Sequence, residues 1–333
     1  MKKFLFALLS LSIISCGEKA DSRGGSSESE TPVTEARIET LKIPPLQHTS
    51  LVILGNVQDA GSPQAGCQKE CCADLFENPD RTRQVVSLGL VDIDDGKSYL
   101  FEATPDISAQ LEYLGKLSQA NSIVPNGIFL THAHIGHYTG LMYLGKEVMD
   151  ARKVPVYVMP RMRDFLGQNG PWDQLVRREN IALQDLSDGV PVSLSDQLQV
   201  TPLKVPHRDE YSETVGYSIQ GPEKSALFIP DIDKWALWER DIIAEIQQVD
   251  YAFLDATFYS GTELGNRDMN EIPHPFILES LEQFKGLPPE QKQKIIFIHF
   301  NHTNPVLDPN SPESLSILEL GYRIGRYGDR FPL

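Results

Sequence analysis

Leu130-Thr131-His132-Ala133-His134-Ile135-Gly136-His137 places three histidines within six residues, directly after the apolar run Gly127–Leu130. The stretch reads as a strand ending in imidazoles. Neutral ring nitrogens favour zinc, iron or nickel, and a loop tied to a strand end aims several of them at one point. One histidine here would read as a solvent-facing loop residue; three at this spacing read as metal ligands.

Working outward, short apolar or β-branched runs recur at Ser50–Leu54, Gln84–Val91, Ser98–Phe101, Pro155–Met159, Val190–Leu194, Gln199–Val205, Val215–Ile219, Ala226–Ile229, Tyr251–Leu254 and Ile295–Ile298. These read as further strands. Helical periodicity lies between them in Ile107–Gln119, Leu141–Met149, Trp235–Val249, Pro275–Phe284 and Pro312–Ile324, with Asp106, Thr139 and Ser311 placed as N-caps. Many strands interrupted by helices imply an α/β fold in which two sheets pack face to face with helices outside. Chemistry-bearing residues stand where apolar runs end: His207 after Thr201–Pro206, Asp231 after Ala226–Pro230, Asp255 after Tyr251–Leu254 and His299 after Ile295–Ile298. Groups at the ends of rigid strands converge on one edge of such a sandwich.

The chain of 333 residues, 41% hydrophobic and 23% charged, suffices for one large α/β domain or two smaller ones. Its formal charge of −16 disfavours nucleic-acid binding through phosphate neutralisation. Lys2-Lys3 precede an apolar stretch, Phe4 to Ile14, too short to span a bilayer and suited to an export signal. Ile13-Ile14-Ser15-Cys16 looks like a bacterial lipobox, which implies a signal peptide over residues 1–15 and lipidation of Cys16. Residues 16–45, rich in Ser, Glu, Gly and Thr, read as a flexible tether, so the folded body spans 46–333. The expectation is an exported bacterial lipoprotein held on a membrane, periplasmic or at the cell surface.

The histidine run resembles the signature of the metallo-β-lactamase fold superfamily, His-x-His-x-Asp-His after a strand, with Gly136 standing where the aspartate would be. The resemblance implies an αββα four-layer sandwich. It also implies that His132, His134 and His207 hold a first divalent metal and that Asp231 bridges two. His137, Asp231 and His299 match three of the four ligands of the second site; Gly136 cannot ligate, so the second ion is expected to bind weakly or in a different geometry. Leu54-Gly55, Gly61-Ser62-Pro63-Gln64, Thr104-Pro105-Asp106-Ile107 and Asn301-His302-Thr303-Asn304-Pro305 resemble the pyrroloquinoline-quinone biosynthesis protein B group. The phosphodiesterase of the carbon–phosphorus lyase pathway shares the general plan.

That phosphodiesterase carries a His-x-x-His pair whose first member binds the catalytic metal and whose second binds a structural zinc; the matching pair is His299 and His302. Cys67, Cys71, Cys72 and His302 would then form a separate structural zinc site. A disulfide from Cys67 with one thiol left over, or three inert thiols, are the alternatives. Adjacent cysteines, with Cα atoms about 3.8 Å apart, fall below the usual minimum of about 4.4 Å for a bridge. By the same resemblance His274, beyond Asp255-Ala256-Thr257-Phe258, is a candidate general acid, as a mobile-loop imidazole with a pKa near working pH. Asp209 and Glu210 read as solvated loop residues, with support of a weakened second metal site as the alternative, and His48 as incidental.

A bound divalent ion lowers the pKa of water from about 15.7 to about 7, which provides hydroxide at neutral pH. The expected function is therefore metal-dependent hydrolysis of a small-molecule phosphodiester or other small ester, with one or two ions, zinc foremost, or manganese or iron. Iron-dependent oxidative chemistry related to the quinone-biosynthesis group, and a non-catalytic metal- or ligand-binding lipoprotein, are the competing expectations.

Overall fold

The computed structural model describes residues 43–118, 122–264 and 272–333. The expected signal peptide, Cys16 and all of the tether before residue 43 lie outside the described residues. Ile43 and Leu46 pack against the apolar core, and Pro44 O accepts a hydrogen bond from Arg330. The described packed residues thus include Ile43 and Leu46.

The strands are β1 (Ser50–Gly55), β2 (Ser87–Asp92), β3 (Lys97–Phe101), β4 (Gly127–Phe129), β5 (Val154–Val158), β6 (Ile181–Asp185), β7 (Val192–Ser193), β8 (Gln199–Lys204), β9 (Val215–Gln220), β10 (Ser225–Ile229), β11 (Tyr251–Asp255), β12 (Ile295–Ile298), β13 (Arg323–Ile324) and β14 (Arg330–Pro332). They form two seven-stranded mixed sheets, ordered β14-β1-β2-β3-β4-β5-β6 and β13-β12-β11-β10-β9-β8-β7. In the first, β3 to β6 run parallel; in the second, β10 to β13 do.

Near-continuous apolar strands such as Ser50-Leu51-Val52-Ile53-Leu54 have both faces covered, and alternation assigns each residue to a layer. Leu51 and Ile53 join Leu88, Phe101, Phe129, Tyr217, Phe228, Phe253 and Ile296 in the central core between the sheets. Val52 and Leu54 face the other way, onto Ile107, Leu111 and Leu114 of α2 (Ile107–Ser118). The second sheet repeats the pattern: Leu227, Ile229 and Leu254 pack with residues of the helices that cover its outer face. Four layers, helix, sheet, sheet and helix, follow from two-sided apolar strands. Phe101 and Phe129 stack with ring centroids 5.0 Å apart, and Tyr217 and Phe228 meet Phe101 edge-on at 5.4 and 5.9 Å. Each fully buried aromatic of this kind contributes about 1.5–3 kcal/mol of transfer free energy.

Several local expectations are corrected. Leu141–Met149 is no α-helix: a 3-10 turn covers Thr139–Leu144 and stops at Gly145, whose ψ of 175° is extended. The Thr139 hydroxyl donates back to Ile135 O instead of capping. Trp235–Val249 divides into a 3-10 turn at Trp235–Leu237 and a separate helix at Ile242–Gln247, because Trp238 turns extended and its indole N–H donates to Lys204 O. Asp106 accepts from Val85 N, tying α2 to the segment before β2. Ser311 does cap, accepting from Ser314 N ahead of Pro312–Glu319, and that helix ends before the expected Ile324.

Candidate metal centre

The C-terminal ends of parallel strands β3 and β4 in one sheet and β10, β11 and β12 in the other meet at one edge of the sandwich. His132 and His134 follow β4, and His137 lies in the single turn Ile135–Tyr138. His207 follows β8, Asp231 follows β10 and His299 follows β12. These positions, far apart in sequence, converge. Asp231 Oδ2 lies 3.1 Å from His207 Nε2, 3.3 Å from His132 Nε2, 3.8 Å from His137 Nε2 and 3.9 Å from His134 Nδ1. His132 Nε2 and His134 Nδ1 approach to 2.8 Å. No single carboxylate oxygen satisfies four imidazoles as hydrogen-bond donors, and Asp231 Oδ1 is buried without a hydrogen bond of its own. The donor atoms have the closeness and chemistry of a divalent cation's coordination sphere.

Around the histidine motif two groups each bring their ligand atoms within 4.8 Å of one another: His132, His134, His207 and Asp231, and Asp59, His137, Asp231 and His299; a group of Asp231, Asp255, His274 and His299 does the same. Behind the first two, an oxygen atom faces the remaining nitrogen of every ring. Thr131 Oγ1 is 2.8 Å from His132 Nδ1, Glu210 Oε2 3.2 Å from His134 Nε2, and Asp233 Oδ1 3.0 Å from His207 Nδ1. Glu102 Oε2 is 3.4 Å from His137 Nδ1, and Thr257 Oγ1 2.8 Å from His299 Nδ1. The hydrogen-bonding partners of His132, His134, His207 and His299 fix those tautomers so that the lone pair points inward, while Glu102 acts on His137 through its charge, Nδ1 having no hydrogen bond among the described residues. Burial alone would raise the Asp231 carboxyl; His207 and His274 overcome it and hold the group well below the usual carboxylate range. His207 moves the opposite way, to about 9, because Asp231 and Asp233 outweigh the cost of burying its charge. His299, with φ +66°, and Glu102, with φ +74°, both hold left-handed backbone. Non-glycine residues keep that conformation only where surrounding structure enforces it, as at functional sites.

A second cluster sits beside α1 (Glu70–Glu77), whose first turn carries Cys71 and Cys72. Cys67, Cys71, Cys72 and His302 bring their ligand atoms within 4.8 Å of one another. His302 Nδ1 is 3.3 Å from Cys72 Sγ and 3.5 Å from Cys71 Sγ, and the two sulfurs are 4.0 Å apart. Tetrahedral zinc with bonds of about 2.3 Å spaces its sulfurs by about 3.8 Å, whereas a disulfide needs about 2.05 Å. The three thiols are free.

The family description of the beta-lactamase superfamily domain matches residues 97–300, a span that contains both sheets' ligand-bearing strand ends. The chain belongs to the beta-lactamase superfamily. It is 25% identical over 300 residues to the coenzyme PQQ synthesis protein B of Methylorubrum extorquens, covering 84% of this chain and 98% of that protein. The same-named protein of Acinetobacter baylyi is 23% identical over 303 residues, covering 83% and 97%. Among solved structures, Zn(2+)-bound PqqB from Methylobacterium extorquens superposes with a TM-score of 0.71 at 22% identity, covering 85% of this chain and 100% of that one. A diphosphatase from the PhnP family superposes with a TM-score of 0.59 at 20% identity, covering 86% and 98%. The α/β sandwich expected from strand order is the metallo-β-lactamase fold of this superfamily.

Against the superfamily motif, Gly136 leaves His137 in place but supplies no carboxylate. Asp59, in the loop after β1, stands there instead, with Oδ1 2.9 Å from His137 Nε2 and 3.2 Å from His299 Nε2. Nothing periodic in the sequence marks Asp59, which reaches the site through a turn. Glu102 was more legible: it is the charged residue that ends the apolar run of β3, the same rhythm that marked Asp231, Asp255 and His299. Asp233, two residues after Asp231, carried the same weak signal.

His274 corrects one expectation. It is buried rather than mobile, with Nδ1 2.8 Å from Asp255 Oδ2 and 3.2 Å from Asp231 Oδ1. Burial disfavours its charge, yet Asp255 and Asp231 raise its pKa well above the ordinary value. Asp209 accepts from Thr214, while Glu210 faces His134 of the first group rather than the second. A cavity of about 750 Å³ opens beside His274 and Thr257 and is lined also by Lys69, Arg208, Phe258 and His302.

Proposed function

We propose that the protein is a divalent-metal-dependent hydrolase of small anionic esters, a phosphodiester foremost, working at the edge where His132, His134, His207 and Asp231 converge. The observation that carries this reading is the lining of the adjoining cavity: among the described residues Lys69 and Arg208 line it and no carboxylate does, in a chain of formal charge −16. A cationic wall in an acidic protein favours an anionic ligand. His132, His134, His207 and Asp231 would hold the ion, which when bound would lower the pKa of water from about 15.7 to about 7 and supply a Lewis acid for the scissile bond's oxygen. Glu210, Thr131 and Asp233 keep the three imidazoles oriented toward that ion. His274, with Nδ1 hydrogen-bonded to Asp255 and the residue lining the cavity, would donate a proton from Nε2 to the leaving oxygen. The Cys67, Cys71, Cys72 and His302 cluster holds a structural zinc that fixes the cavity wall. A lipid anchor at Cys16 places the hydrolase on an exported membrane face.

The test is to supply the purified protein with zinc or manganese and to follow cleavage of bis(p-nitrophenyl) phosphate and of cyclic phosphate esters. Metal-dependent turnover that disappears in His274→Ala and His134→Ala supports the reading; a metal-loaded protein inert toward phosphate and carboxylate esters ends it. A second reading draws on the likeness to coenzyme PQQ synthesis protein B over 98% of that protein's length. Here the same histidines hold iron for oxidative chemistry, and native protein rich in iron that consumes oxygen would favour it.

A further inference from the structure

Gly136 removes the carboxylate with which the histidine motif would complete a second ion site, and Asp59 occupies its place. A Cβ at Gly136 would lie 2.5 Å from Asp59 Cα and 2.7 Å from both Asp59 Cβ and Cγ. An aspartate at 136 and the observed course of the chain at 59 are therefore mutually exclusive. Glycine at 136 is what lets the Asp59 backbone come this close.

The loop that brings Asp59 in is clamped on both sides of the site. Val57 is buried and bridges Val85 on one side and Phe300 on the other. Gln58 N donates to Phe300 O at 2.8 Å, one residue past His299, and Gly61 N closes the turn on Gln58 O at 2.9 Å. Asn56 N and Val57 N both donate to Gln84 O at 3.0 Å. The carboxylate is thus aimed before any ligand arrives, a condition for a metal site of defined geometry. Its Oδ1 joins His137 Nε2, His299 Nε2 and an oxygen of Asp231 within 4.8 Å. One oxygen between two imidazole nitrogens, next to a second buried carboxylate, offers a divalent ion three or four ligands and two negative charges.

We infer that Asp59 is the carboxylate ligand of a second divalent-metal site, made with His137, Asp231 and His299, so that this chain holds an ion pair bridged by Asp231 despite lacking the motif aspartate. The inference rests on the proposed function only in sharing Asp231 with the first site. It makes the loop after β1, rather than the histidine motif, the source of the second site's charge.

The experiment uses the full chain, reconstituted with manganese. Wild type gives the exchange-coupled electron paramagnetic resonance signal of a bridged pair, and zinc titration of the metal-stripped protein shows two ions at this edge beyond the structural zinc. Asp59→Asn loses one of them, its affinity falling at least roughly 100-fold, while the first is retained. Gly136→Asp alone also loses it, through steric displacement of Asp59. The double variant Asp59→Gly with Gly136→Asp does not regain it, since glycine at 59 keeps the Cα that stands 2.5 Å from a Cβ at 136. An uncoupled manganese signal in wild type, or undiminished stoichiometry in Asp59→Asn, overturns the inference; the wild-type signal decides even if a variant fails to fold. Coupled manganese in a protein that cleaves no ester leaves the second site intact and removes the hydrolase reading instead.

Discussion

Glu102 Oε2 stands 3.4 Å from His137 Nδ1, with both side chains closed to solvent and the Glu102 backbone at φ +74°. Burial raises the Glu102 carboxyl, and His137 partly offsets the rise. A carboxylate beneath a ligating imidazole keeps the proton on Nδ1 and the lone pair on Nε2, facing Asp59 and Asp231. Glu102→Gln preserves volume and removes that charge. Its zinc affinity at the His137 side should fall by about 10–100-fold, as for other outer partners of metal-bound histidines. Competition with a chromophoric chelator measures this, and an unchanged affinity would reduce Glu102 to a packing residue.

His134 is the most exposed of the first group's histidines, so its removal tests the site with little risk to the core. His134→Ala should lower metal content and reduce ester hydrolysis by more than roughly 100-fold, because a direct ligand is lost rather than an outer partner. Thermal stability of the metal-free protein should barely move. Metal content and turnover both at wild-type level would sink the assignment.

Arg208 lines the cavity with its side chain largely in solvent, 4.0 Å from Glu210. A charge-assisted contact to an anionic substrate contributes about 1.5 kcal/mol or more, equivalent to about tenfold in binding. Arg208→Ala should therefore raise KM about tenfold with kcat nearly unchanged, and added salt should erode the difference. A loss confined to kcat would place Arg208 among groups that act on the transition state.

What the sequence disclosed follows from where the information is local. His132, His134, His207, Asp231 and His299 follow the ends of apolar runs, so strand periodicity marks them in the sequence. Asp59 is carried by a clamped turn whose direction depends on contacts with Gln84 and Phe300, residues 25 and 241 positions away in sequence, before β2 and after β12. β6 escaped because Ile181-Ala182-Leu183 is a short run with one face half exposed, and β14 because Arg330-Phe331-Pro332 becomes a strand only by pairing with β1. The Leu141–Met149 periodicity was real, yet Gly145 in extended backbone ended the turn it began.

The cysteine cluster makes a prediction with a defined sign in pH. Burial, then the neighbouring Cys72, push the Cys71 thiol up to about 12, so in the metal-free protein it keeps its proton throughout the neutral range. Zinc requires the thiolate and must displace that proton, so affinity rises with pH by about tenfold per unit for each proton released, and falls on acidification. A chelator should therefore strip this site more readily at pH 6 than at pH 8. Stripping releases α1 and the adjoining cavity wall; a loss of about 3 kcal/mol would lower Tm by about 6–12 °C. His302→Ala should show the lower Tm without chelator and respond little when chelator is added, because the fourth ligand is already gone. Calorimetry with zinc quantified in the same samples checks both. A pH-independent release, or an His302→Ala protein that retains its full zinc, would mean that the three thiols are held together by packing rather than by metal.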